Sequence, residues 1–186
     1  MPPSFHEWET FYVITGSSGA GLTGLMFVVI TLAAERMERA TPTERTAVTG
    51  FSTPTVIHFA MVLLIAALMT MPRRGVLSLA VSLIGCAAAG LLFTLHLGIR
   101  RLRKITTYVP VAEDWIWHAI LPCVAYAALL SSALVLGVVR DGALYVVASV
   151  VLLLLYIGVH NAWDSALYLT VHGTKPAEVQ PTGADR

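Results

Sequence analysis

The chain has 186 residues, 56% of them hydrophobic and only 12% charged, with a formal net charge of +1. At a mean hydropathy of +0.75 it lacks the polar surface that a soluble globular enzyme or binding domain needs, and that class is excluded. The near-neutral balance also excludes the basic face on which nucleic-acid binding depends, so no nucleic-acid partner is expected.

The chain opens with an acidic stretch, Glu7 and Glu9, without Lys or Arg. The apolar run that follows is longer than a signal-peptide core, so it reads as a retained first span. Apolar runs bounded by charge or proline fall at about 10–34, 51–71, 76–98, 115–139 and 143–169. Each is long enough to cross a hydrocarbon core of about 30 Å as a helix, and none alternates like a barrel strand. The expectation is an all-α polytopic membrane protein, a bundle of five transmembrane helices over residues 1–172, with the lipid bilayer as its first partner. Residues 173–186, polar with Gly and Pro, read as a disordered tail.

In the first span Gly16, Ala20 and Gly24 recur every four residues. Small residues at that spacing let a second backbone approach closely, within the chain or between copies in a homo-oligomer. Thr15, Ser17, Ser18 and Thr23 add hydroxyls that could line a pore. The strings Phe11-Tyr-Val-Ile-Thr-Gly16 and Gly21-Leu-Thr-Gly-Leu-Met-Phe-Val28 resemble the first helix of a group of uncharacterised small bacterial membrane proteins, marked by Leu-Thr-Gly-Leu-x-Phe-Val. The resemblance implies a multi-pass protein of the bacterial inner membrane and brings no activity with it.

The second span carries Pro54 and then His58, near the middle of a run with no charge between Arg45 and Arg73. An ionisable group at that depth is a functional-site hypothesis by default. Pro72-Arg-Arg-Gly75 reads as the tight turn into the third span. That span ends on His96 and the basic string Arg100, Arg101, Arg103 and Lys104, which suits lipid headgroups. The fourth span starts with Asp114 and His118, and Pro122 deprives the His118 carbonyl of its usual amide donor. The fifth repeats the spacing with His160 and Asp164, so each pair lies on one helix face. Cys86 and Cys123 sit inside apolar runs and read as small hydrophobes rather than a disulfide.

Nine Lys and Arg fall on the face holding the first loop, the third loop and the tail, against three on the other face. The bias predicts the N-terminus outside and the C-terminus in the cytoplasm, with Trp8 in the outer aromatic belt and Trp115, Trp117 and Trp163 in the inner one. In that topology His58, His96, His118 and His160 all lie in the cytoplasmic half.

With Asp114 and Asp164 these histidines form either one shared polar site or a set of separately satisfied interfacial residues. A shared site has the ligand types for a divalent metal, zinc, manganese or iron, with haem b as the less favoured cofactor. It also has the groups for a proton path, since imidazole titrates at about pH 6.5. The leading expectation is a homo-oligomeric channel or transporter for a proton or metal cation. The alternatives are a metal-dependent membrane enzyme acting on a lipid-like substrate, a haem carrier, or a structural module. No catalytic motif stands out in the sequence.

Overall fold

The computed structural model describes residues 5–37, 42–72, 75–103 and 115–172, with side chains over 7–32, 53–72, 75–99 and 115–167. The helices are α1 (Phe5–Met37), α2 (Pro42–Thr70) and α3 (Val76–Arg103), then a π-helical turn (Ile116–Ile120) leading into α4 (Leu121–Val135), and α5 (Arg140–His172). Five segments within them are long and apolar enough to cross a membrane, and the described residues hold no strand. Helices α1, α2, α3 and α5 overrun their apolar runs at one end or both because backbone hydrogen bonding does not stop where hydropathy does, whereas α4 ends at Val135, short of the expected 139. Pro42, with its φ already helical, opens α2 as expected of a first-turn proline.

Between α2 and α3 the chain reverses in the few residues after Thr70. Gly75 takes φ +144° there, a conformation that a Cβ would penalise. Antiparallel neighbours follow. Gly16 of α1 lies against Ala66 of α2 while Gly19, one turn on, meets Phe59 and Val62. Trp117, beside the start of α4, meets Tyr156 and His160 late in α5.

Helices α2, α3, α4 and α5 form a ring in which α2 packs on α5, α5 on α4 and α4 on α3, with a lighter contact closing α3 onto α2. Helix α1 lies outside this ring, mainly along α2. The core runs through the ring as Val62, Ile65, Leu83, Leu129, Leu136, Val147, Val151 and Leu154. Large apolar side chains such as Leu25, Leu92, Leu134 and Leu152 point outward all round it. In water such a belt would be an aggregation surface, whereas in lipid it faces its own kind.

The expected Gly16, Ala20 and Gly24 stripe is revised. Gly16 and Gly19 are buried against α2, but Ala20 and Gly24 face outward, and a Cβ on Gly24 would meet nothing within 4 Å. At about 100° per residue each four-residue step overshoots a turn by about 40°, so Ala20 and then Gly24 rotate progressively off the contact. The face that packs is Tyr12, Thr15, Gly16, Gly19 and Met26. Thr15, Ser18 and Thr23 donate their hydroxyls to main-chain oxygens of their own helix, Phe11, Ile14 and Gly19 respectively. That local bonding is the usual fate of such side chains in a helix, and it makes them poor pore lining.

Candidate functional site: a buried polar layer

The core is mainly apolar at the end where α2 finishes, with the hydroxyls of Tyr12, Thr15 and Ser132 as exceptions, and more polar at the end where it starts. At the polar end lie Thr55 and His58 of α2, Thr94 of α3, His118 of the π-helical turn, and Asn161 and Ser165 of α5, all buried.

His58 is 2% exposed. Its Nδ1 is hydrogen-bonded to the Tyr126 hydroxyl at 3.0 Å, with the tautomer deciding which group donates. Two glycines make room for this pair. A Cβ on Gly90 of α3 would fall 2.3 Å from the Tyr126 ring, and one on Gly158 of α5 would fall 2.4 Å from the ring of Phe59, the neighbour of His58. So α3 presses Tyr126 toward α2, and α5 admits Phe59. The bond is worth about 1 kcal/mol net, and losing one partner in this surrounding would cost more than that.

His118 is within electrostatic reach of His58, and both are buried. Its position comes from the π-helical turn. Leu121 gives its N–H to the carbonyl of Ile116, five residues back, instead of to Trp117, and Pro122 has no N–H to give. The extra residue relieves the clash that proline would make with the preceding turn, and it rotates His118 inward. Such turns recur at functional sites because they re-aim single side chains without ending a helix. The missing amide of Pro122 is thus accommodated by a widened turn.

His160 and Asp164 form a separate feature. Their Nε2 and Oδ2 atoms are 3.4 Å apart, with side chains 25% and 43% exposed. The His160 ring is stacked on Trp117 at 3.8 Å between centroids, so the pair belongs to the flank where α4 meets α5. His96 is exposed on α3; it lies two residues beyond buried Thr94, about 200° around the helix. It shares the depth of the layer but not its direction. Asp114 lies outside the described residues, as do the side chains of Arg100, Arg101, Arg103 and Lys104.

Of the six expected site residues the structure therefore buries His58 and His118 in one layer and, apart from them, pairs His160 with Asp164. Among the described residues no three His, Cys, Asp or Glu side chains gather as a metal-holding set. The donor set at the layer's centre, two imidazoles and a phenol, also contains no described carboxylate. It fits proton exchange and polar contacts better than a divalent ion, which wants three or more strong ligands.

Tyr126, Asn161, Gly90 and Gly158 are the members that sequence reasoning missed. Nothing along the chain distinguishes Tyr126 within its apolar run, and a glycine within a span carries no mark of which ring it accommodates. Asn161 had a usable signal, being an amide beside His160 in a run with no charged residue between Asp141 and Asp164. A cavity of about 200 Å³ lies at the opposite end, lined by Leu68, Met71, Pro72, Ser78 and Ser82, and it is remote from the layer.

No family model, curated protein or solved structure matches the chain. The fold and the layer define the class: an all-helical protein with five helices fit to span a membrane and a histidine pair inside the bundle.

Proposed function

We propose that this protein is a proton channel or proton-coupled transporter of the bacterial inner membrane, in which His58 takes up and passes on the proton. The observation that carries the reading is the burial of His58, bonded to the Tyr126 hydroxyl, in the same polar layer as the buried His118. Imidazole has a lone pair on one nitrogen and a proton on the other, so it can accept on one side and donate on the other. A phenol bonded to it can follow either tautomer, and a second imidazole nearby offers the next acceptor. Keeping such groups within an apolar bundle is costly, and ionisable residues there commonly serve a pathway.

The rest of the bundle has a part in this reading. The apolar half, filled by Val62, Ile65, Leu83, Leu129, Val147 and Val151, is the barrier that a proton cannot cross until the helices shift. The Lys and Arg bias puts the N-terminus outside and the polar half toward the cytoplasm. The outward Ala20 and Gly24 face of α1 pairs copies into a homo-oligomer. A proton is favoured over a metal cation because the described residues supply a relay but no ligand set.

The test is proton flux into proteoliposomes holding a pH-sensitive dye, driven by an imposed gradient and a potassium diffusion potential. Wild-type protein is expected to carry protons, and His58→Ala to fall to the level of empty vesicles. Wild-type flux no greater than that of empty vesicles ends the reading.

A further inference from the structure

Asn161 is fully buried, at 0% exposure, and neither its amide nitrogen nor its amide oxygen has a hydrogen-bond partner among the described residues. It stands on the inward stripe of α5 with Leu154, Ile157 and Ser165, all buried. A leucine, branched at the same carbon though larger, would continue that stripe without leaving polar atoms unpaired. Nor can the amide adapt as an imidazole can, by shedding a charge. The hydroxyl of its neighbour Ser165 is occupied, donating to the main-chain oxygen of Asn161 at 2.8 Å.

The level of Asn161 is fixed by two contacts. The adjoining His160 is stacked on Trp117, next to His118. Three residues earlier Gly158 receives Phe59, next to His58. Because α2 and α5 run antiparallel, Asn161 lies about one turn beyond Phe59 toward the start of α2, level with Thr55 and the π-helical turn. That turn also widens the backbone here and withdraws the usual donor from the carbonyl of Trp117.

We infer that Asn161 is a binding site for internal water, placed between the histidine pair and the end of the bundle where α2 begins. The ligand class follows from the amide itself, which presents two donors and an acceptor at once. A bare cation would satisfy only the oxygen and a halide only the nitrogen, whereas water offers both donor and acceptor. The inference rests on the proton reading for its purpose, because water there connects His58 and His118 with that end. As a binding site it stands on the burial and pairing of the amide alone.

Hydroxyl-radical footprinting of the whole protein in detergent, in ¹⁸O-labelled water, tests it without reference to transport. Radicals formed from bound water label side chains beside it even where bulk solvent does not reach. In wild-type protein Phe59 or Tyr126, both 0% exposed, is expected to take up label. In Asn161→Leu that label falls about tenfold, because the apolar side chain offers water neither donor nor acceptor and fills its place. Absence of label from the buried rings of wild type overturns the inference whatever any variant does, and so does equal labelling of wild type and Asn161→Leu. Should Asn161→Leu misfold, Asn161→Ala serves in the same comparison. Label without proton flux would keep the water site and remove the transport reading, and flux without label would do the reverse.

Discussion

Along α2 the residues that face the interior run Met69, Ile65 and Val62 through one half of the bundle, then Phe59, His58 and Thr55 through the other. Helix α5 makes the same change in the opposite chain direction, from Val147, Val151, Leu154 and Ile157 to Asn161 and Ser165. One half is held by dispersion and apolar burial, which tolerate small shifts of one helix against another. The other is held in addition by directional contacts, the His58 to Tyr126 bond above all, and these do not. The same helices therefore give unspecific apolar packing at one end and a specified constellation at the other, with Gly90 and Gly158 making room for the second.

The contrast can be broken most forcefully at those glycines. Gly90→Val and Gly158→Val are expected to cost about 3 kcal/mol each in detergent melts, because their β-carbons alone would fall 2.3 and 2.4 Å from the rings of Tyr126 and Phe59. Gly85→Ala in the same helix as Gly90, where a Cβ would meet nothing within 4 Å, should instead be neutral or stabilising by up to about 1 kcal/mol. Equal losses at Gly90 and Gly85 would show that α3 does not press on Tyr126.

A gentler change sharpens the comparison. Tyr126→Phe keeps the ring and its packing, deletes only the hydroxyl bonded to His58, and should cost about 1–3 kcal/mol by leaving a buried imidazole nitrogen unpaired. Leu136→Met at the apolar end, also fully buried, is a change of similar size and should cost under about 1.5 kcal/mol, with proton flux intact. Flux should fall in Tyr126→Phe alone.

The smallest effects are expected outside the ring. Ala20→Leu and Gly24→Leu, on the outward face of α1, should leave the stability of the protomer within about 0.5 kcal/mol of wild type. They should weaken its self-association, as measured by sedimentation in density-matched detergent. Unchanged association would remove the proposed pairing face.

Much of this architecture was legible in the residues. Hydropathy marked five spans because a lipid-crossing helix has to be apolar for its whole length, and Pro42, Gly75 and Pro122 each marked a local event that the structure contains. His58 stood out because an ionisable side chain deep in such a run is rare. Depth, however, follows from counting along the chain, while direction depends on the accumulated turn of about 100° per residue and on which neighbour packs where. That is why His96 shared the level of His58 and yet faces away. It is also why a four-residue rhythm pointed to Ala20 and Gly24 when Gly19 makes the contact. Tyr126 and Gly90 acquire their meaning only as a pair joined across two helices, which no single stretch of sequence displays.

The most direct test of the central claim is a solid-state ¹⁵N NMR titration of histidine-labelled protein in bilayers, with His58 assigned through His58→Gln. The account predicts that the His58 nitrogens report a hydrogen-bonded imidazole that changes protonation over the same pH interval in which proton flux changes, and that Tyr126→Phe displaces both together. A His58 ring that keeps one protonation state while flux rises and falls would contradict it.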